Sequence, residues 1–364
     1  MSRPGPADAP LPIRALSGAV PTPSSGALVW AGLVLVVVIL VGLQLTIGVV
    51  YIPPTVVLAH VVGTGSDEVW GRILLEFRLP RALTALVAGA ALGLCGMLLQ
   101  TTFRNPLADP WFLGLVHSAR LGVALLVVVS GAVGGSVLND LGLFTNVGLA
   151  LAAAAGSLGL TLGLMTLATR VTPVTLLLTG LMLGQAAEGL ISVILHFTTE
   201  GQGRAFESWN DGTFTTVTSV QWMVLASLFA VALATTLLLV KPLNAMLLGD
   251  DYAQTLGLAV RRIRIATVGV AALLAGTVTA FCGPVAFLGI LAPHLARAVF
   301  ATADHRTLVP ASVIVGAGLA TLADFVTHLP WELHFLHLNA VLGLVGAPVV
   351  VVLLLRRSGL RAEV

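Results

Sequence analysis

The sequence predicts an all-α membrane protein with ten transmembrane helices and both termini in the cytoplasm, and three observations carry that expectation. Of its 364 residues, 57% are hydrophobic and 9% charged, with a mean hydropathy of +1.02. That is far too little charge to coat a soluble globule of this size. The apolar residues gather in ten runs, near 27–50, 82–103, 111–131, 144–168, 174–197, 219–240, 262–282, 285–300, 307–327 and 339–355, lengths that suit helices crossing a bilayer. The cations supply the third observation. With ten spans, those from Arg3, Arg14 and Arg104 through Lys241, Arg261, Arg262 and Arg264 to Arg356 and Arg361 fall on the N-terminal side. Only Arg72, Arg78, Arg81 and Arg204 fall opposite, and Arg120 is left inside a span. Lysine and arginine concentrate on the cytoplasmic side of membrane proteins, which places both termini there. Nine or eleven spans would scatter the same residues over both faces.

A net charge of +2, with cations at span ends rather than on one surface, gives no footing for nucleic acid. Cys95 and Cys282 each sit alone in an apolar run, so they read as small buried hydrophobes and support neither a disulfide framework nor a metal site. No cofactor is expected; the surroundings of the spans are membrane lipid.

Taken in order, residues 1–26 are rich in Pro, Ser, Gly and Ala and read as a disordered cytoplasmic tail. The run 27–50 is too long for the apolar part of a signal peptide, so it is a retained first span. It opens a transmembrane domain over 27–357, with 358–364 as a second tail. Arg120 and Glu188 lie inside spans, about 15 Å and about 20 Å from the cytoplasmic helix ends at ~1.5 Å per residue. Ionisable groups at such depth face a cavity or one another, and a pair within arginine's reach is possible. Pro110 and Gly114 precede the third span while Pro284 and Gly289 stand at the start of the eighth, running the other way. An inverted repeat with interrupted helices leaves such a trace.

Between the sixth and seventh spans lies KPLNAMLLGDDYAQTLGLAVRRIR, residues 241–264, which holds the only lysine. Pro242 is placed to start one short helix that Gly249 ends; Asp250 or Asp251 then caps a second that stops at Gly257. Each is an amphipathic knob too short to cross a membrane. Lys241 is preceded by LLLV, not by a glycine-rich turn, so the segment is not a phosphate-binding P-loop. An ATP-driven function would need a partner.

RLPRALTALVAGAALGLCGMLLQTTFRNPLADPWFLGLVHSARLG, from Arg78 to Gly122, closely resembles the FecCD family of ABC-transporter permeases. Three further blocks extend the resemblance in order: NAMLLGDDYAQTLGLAVRR, then GPVAFLGILAPHLAR with DHRTLVPAS, then LAD at 322–324 with GAP at 346–348. It implies a non-enzymatic, multi-pass permease of the cell inner membrane, importing an iron(III)-siderophore or similar chelate, with haem and cobalamin as alternatives. It also implies a second permease subunit, two cytoplasmic ATP-binding subunits and an extracytoplasmic substrate-binding protein. On this resemblance Leu248, Gly249, Asp250, Asp251, Ala253, Leu256 and Gly257 meet the ATPase.

Arg78 and Arg81 take the family positions that dock the binding protein, although arginines at a span end also snorkel. An arginine that relatives carry after LAD is replaced here by Thr327 and His328. The fifth and tenth spans line the route, which brings Glu188 and His196 into play beside Arg120. Trp209, Asn210 and Gly212 match a W-x-x-G pattern after the fifth span, where tryptophan also serves as an interfacial anchor. His328, His334 and His337 stand near the outer mouth at a spacing that matches no named metal motif; they are either substrate contacts or interfacial polar residues. His294 and Arg297 read as structural caps. A secondary transporter driven by an ion gradient is the competing class. It would need several midplane carboxylates, and Glu188 is the only acid that reads as buried.

Overall fold

The computed structural model describes residues 23–133, 146–167, 170–329 and 336–359, and every regular element among them is helical. Most of both tails and His334 lie outside the described residues. The helices are α1 (Pro23–Thr46), α2 (Pro54–Val61), α3 (Glu68–Arg72), α4 (Leu79–Phe103), α5 (Leu115–Val133), α6 (Asn146–Leu167) and α7 (Pro173–His196). They continue as α8 (Glu200–Asn210), α9 (Ser219–Met246), α10 (Asp250–Thr255), α11 (Val260–Cys282), α12 (Leu288–Phe300), α13 (His305–His328) and α14 (Leu338–Gly359). Among the described residues seven helices are long and apolar enough to cross a membrane, and Leu115–Val129, Leu288–Phe300 and Leu338–Val352 are shorter apolar helices.

Helix α4 is the axis of the bundle. Every residue from Ala88 to Phe103 is buried, and the helix is flanked by α9, α11, α12 and α13. A helix apolar on all sides belongs in a core. Small residues let its neighbours close in: a Cβ on Gly96 would lie 1.7 Å from the Gly289 carbonyl oxygen, and one on Gly89 2.3 Å from that of Gly316. Between apolar helices in a membrane, such close backbone approach is a main source of association. At the edge, α1 and α7 expose much of their apolar surface, for example Val34, Val38, Met182 and Val193.

The stretch 51–81, between the first two apolar runs, holds α2 and turns helical again at Glu68. It runs through a π-helical turn, Ile73–Arg78, straight into α4. Asp67 starts it by accepting the Val69 and Trp70 N–H groups, each at 3.0 Å.

Two apolar runs begin as irregular chain. After α4, Arg104 turns left-handed (φ 48), and residues 105–114 precede α5; Gly114 has φ 76. After α11, Gly283 (φ 71) and Phe287 (φ 66) frame the connection to α12. Membrane proteins tolerate such irregular backbone only where protein or a cavity covers it. Here residue 114 packs on α7, and Gly283 packs on the Trp209 carbonyl.

The connection between the fifth and sixth apolar runs holds a helix, α8, opened by a capping box of Thr199 and Gln202. It runs back along α5: Gln202 Nε2 donates to the Val127 carbonyl at 3.3 Å, and Asn210 lies against Arg120, five residues into α5. Buried Phe206 fastens it to a cluster with Ala119, Val123, Val127 and Ile191. Trp209 is drawn inward with it, its Nε1 buried and without a hydrogen bond to any described residue.

Pro242 does not start a new helix; it sits inside α9, which runs unbroken to Met246. That last turn is held by tertiary bonds that outweigh the proline's missing donor. Leu243 and Met246 are buried, at 0% and 2% exposure, and Asn244 bonds Asp304 and His305. Only the second short helix, α10, stands free. Gly249 (φ 120) precedes it and Gly257 (φ 79) follows it, both in backbone that favours glycine. Neither aspartate caps it: Gly249 occupies the N-cap.

Candidate functional site

Arg120 and Glu188 meet. Arg120 Nη1 lies 2.5 Å from Glu188 Oε2, joining α5 to α7, and Arg120 Nε donates to Asn210 Oδ1 at 2.7 Å. The arginine side chain is 11% exposed and the glutamate 41%. Beside them is a cavity of about 320 Å³ lined by Trp111, Arg120, Asn210, Asp211, His337 and Asn339. His337 Nδ1 stands 3.3 Å from Asp211 Oδ2. Asn339 holds the cavity wall, accepting the Ala286 N–H at 3.0 Å and donating to the carbonyls of Asp211 and Pro284 at 3.2 and 2.8 Å. Behind the pair, His117 is buried edge-on against the Trp111 ring, with Nδ1 making no hydrogen bond to any described residue. His196 is not part of this group. It ends α7 two turns beyond Glu188, exposed, with its ring against Phe197.

Arg78 and Arg81 both turn inward. Arg78 is 9% exposed; its Nη1 donates to the Leu45 carbonyl at 2.7 Å and its Nη2 to that of Val50, tying the end of α1 to the π-helical turn. Arg81 forks onto Asp324 of α13, with Nε 2.9 Å from Oδ2 and Nη2 2.8 Å from Oδ1, and Nη2 also reaches Thr327. Gln44 of α1 donates to the same carboxylate at 2.8 Å, and His328 Nδ1 stands 3.5 Å away. A fork of this kind is the strongest geometry an arginine and a carboxylate can adopt. Sequence reasoning placed Asp324 in the LAD block without giving it a partner. The signal was present, since an acid within an apolar run needs a counter-charge.

Glu188 is therefore not the only acid at depth, nor the most buried one. Asp324 is 2% exposed and Asp109 4%. Asp109 sits in the irregular segment before α5, with Oδ1 accepting the Trp111 N–H at 2.8 Å and Oδ2 against Gly289.

At the opposite end of α4 the chain gathers its second charged group. Asp250, first in α10, accepts from Arg104 Nη2 at 2.6 Å and from Arg264 Nη2 at 2.8 Å. Asn244, Asp304 and His305 form a neighbouring knot, with His305 buried between Asn244 and Thr101. The Asp304 carboxyl is held below the usual range, chiefly by the Arg306 N–H and then by Asn244. Arg297 Nη1 donates to Gln100 Oε1 at 2.5 Å and His294 Nδ1 faces the Ile290 carbonyl at 2.8 Å, both structural contacts. Ala253 anchors α10 from beneath with Met246, Val260 and Ile263, whereas Leu248, Tyr252 and Leu256 stay 50–67% exposed. Asp251 and Gly257 lie on the same outer side. Cys95 and Cys282 are both buried thiols.

Comparison with known proteins bears on this arrangement. The profile of the FecCD transport family matches residues 34–356. The ferric enterobactin transport system permease protein FepD of Escherichia coli is 33% identical over 339 residues, 90% of this chain and 95% of that protein. The vitamin B12 import system permease protein BtuC of Klebsiella pneumoniae is 33% identical, covering 90% and 93%. The hemin transport system permease protein HmuU of Yersinia pestis is 32% identical, covering 82% and 87%. Among solved structures, a metal-chelate type ABC transporter in an inward-facing conformation superposes with a TM-score of 0.78 at 25% identity, over 91% of this chain and 99% of that one.

Proposed function

Because the chain belongs to the FecCD transport family, and so is a membrane permease of a type II ABC importer, we propose that its cargo is an iron(III)-siderophore or a similar metal chelate. Importers of this class work with an ATPase and a binding protein. In this reading the seven long and three shorter apolar helices make ten spans with both termini in the cytoplasm. Two permease subunits, identical or paralogous, sit on two ATP-binding subunits. Haem and vitamin B12 are the other cargoes within the class.

The observation that carries the reading is the split character of α10. Ala253 roots it in the bundle while Leu248, Tyr252 and Leu256 present an apolar patch, 50–67% exposed among the described residues. An ATPase subunit is the partner that a chain without a P-loop needs at this place. Glu188, Arg120 and, further along α7, His196 border the route. Of the two docking arginines, Arg81 makes no hydrogen bond through Nη1 to any described residue, whereas Arg78 is enclosed. Docking is therefore assigned to Arg81, with Arg78 as its support.

The acids argue against an ion-gradient mechanism. Asp324 is neutralised by Arg81, and Asp109 is enclosed in the segment before α5, so neither is a free proton or sodium site open to the route.

Purified permease should be reconstituted in vesicles with its ATPase and binding-protein partners, and offered labelled ferric enterobactin, haemin and vitamin B12. The reading predicts ATP-dependent uptake, with the siderophore preferred. Leu256→Glu should leave the permease in the membrane but separate ATP hydrolysis from uptake. Unchanged coupling in that variant would return the segment to an ordinary loop.

A further inference from the structure

We propose that Asp250 is a positioning residue: its carboxylate passes displacement of α10 to Arg104 and Arg264, and through Arg104 and the segment 105–114 to α7. The inference rests on the ATPase-facing reading of α10.

The two carboxylate oxygens are divided between two helices. Oδ1 takes Arg104, immediately after α4, and Oδ2 takes Arg264, in the second turn of α11. Arg104 is committed to this role by its backbone. It caps α4 in the left-handed conformation, uncommon for a non-glycine residue, and its Nη2 also donates to the Met246 carbonyl at 3.1 Å. The Arg264 side chain is only 12% exposed. Next to Asp250, Asp251 is exposed and makes no hydrogen bond or ion pair to any described residue. One aspartate of the pair faces the partner, and the other faces the bundle.

Beyond Arg104 the contacts become backbone on backbone. A Cβ on Gly180 of α7 would lie 2.6 Å from the Leu113 carbonyl, and one on Gly114 2.4 Å from the Gly180 carbonyl. On its other side the segment meets α12, where a Cβ on Gly289 would lie 2.4 Å from Asp109 Oδ2. Long side chains absorb small shifts by changing rotamer, but contacts without them have no such slack. The half-exposed Arg104 side chain is the flexible link of this series, and a shift that reaches its backbone arrives at Gly180. Glu188 stands eight residues, about 12 Å, further along the same helix at ~1.5 Å per residue. The Arg120–Glu188 pair is thus the far end of a chain of close contacts that starts at Asp250.

A contact chain counts as coupling only when both ends are shown to move together. The test uses the assembled transporter in lipid discs, with Ser192→Cys on the exposed side of α7 as a maleimide target; Cys95 and Cys282 are buried and silent. Labelling is compared without nucleotide and after trapping with ATP and vanadate. The proposal expects a labelling rate that depends on nucleotide. Arg104→Gln should lose that dependence while the ATPase subunit still co-purifies and hydrolyses ATP. Arg264→Gln should weaken it, and serves if Arg104→Gln does not assemble. Arg104→Glu combined with Asp250→Arg should restore part of the response, whereas Asp250→Arg alone should not. Full nucleotide dependence in both glutamine variants would overturn the proposal. Failure of the ATPase to co-purify with the parent permease would instead overturn the ATPase-facing reading, and this inference with it.

Discussion

Two arginine–carboxylate pairs lie among the apolar helices, and water reaches them differently. Asp324 is 2% exposed and receives the fork of Arg81 together with Gln44. Glu188 is 41% exposed and receives one arm of Arg120, whose Nε is turned to Asn210. The first pair ties α1, α4 and α13 together through one carboxylate. The second joins α5, α7 and α8 at the border of a polar cavity. Removing water from both charges makes a pair costly to form and costly to break. A pair whose acid keeps its water can open and close at small cost. The comparison separates a fastening from a movable contact: Arg81–Asp324 fixes the bundle, and Arg120–Glu188 is the pair that can part beside the cavity, on the proposed route.

The largest effect that tests this contrast is on stability. Asp324→Ala leaves a guanidinium without its counter-charge in an apolar bundle, and should cost about 3–5 kcal/mol in denaturant or thermal unfolding in detergent. Adding Arg81→Met should recover much of that loss. A cost below about 1 kcal/mol, the range of exposed pairs, would remove the distinction.

Next in size is uptake. Arg120→Ala and Glu188→Ala should each reduce vesicle uptake by an order of magnitude or more; in Arg120→Ala unfolding should shift by less than about 1 kcal/mol, since solvent screens the half-exposed glutamate left behind. The exchange Arg120→Glu with Glu188→Arg should recover part of the uptake. If the single variants abolish it and the exchange restores nothing, the pairing has no functional role.

The smallest effect concerns an ionisable group outside the bundle. His60 faces the Val56 carbonyl through Nδ1 and the Asp67 carbonyl through Nε2, both at 2.9 Å. Carbonyls only accept, so both bonds require both ring nitrogens to be protonated. The pKa is accordingly raised above its ordinary 6.5, first by the Val56 bond and then by the Asp67 bond. A raised value means that the contribution is complete below about pH 6.5 and is lost as pH rises through the folded value. Amide exchange over residues 56–72, corrected for its intrinsic pH dependence, should quicken across that window. His60→Gln should flatten the change, and unaltered pH dependence in the variant would break the link.

Much of the framework was legible in the sequence because a membrane span is a local property. The apolar runs correspond to the long and short apolar helices, and the depths of Arg120 and Glu188 allowed a pair without deciding it against two residues facing a cavity separately. Residues 241–264 stood out as the longest polar break in the second half of the chain. What stayed hidden depends on distant partners. Helix α8 is short and polar, with Phe206 as its only buried residue, so no run of apolar residues marks it. Its place beside α5 is visible only in the fold. Pro242 reads as a helix start by local rules, and buried Leu243 and Met246 overrule them. Arg78 and Arg81 read as surface charges until Leu45, Val50 and Asp324, from other parts of the chain, are brought against them.

The account's central claim is that this permease moves its cargo by force delivered through α10 rather than by an ion gradient. Uptake of labelled ferric enterobactin into vesicles carrying the complete transporter tests it most directly, with ATP and a proton gradient supplied separately. The account predicts uptake that requires ATP, is stopped by vanadate and is indifferent to collapse of the gradient. Uptake that follows the gradient and ignores ATP would contradict it.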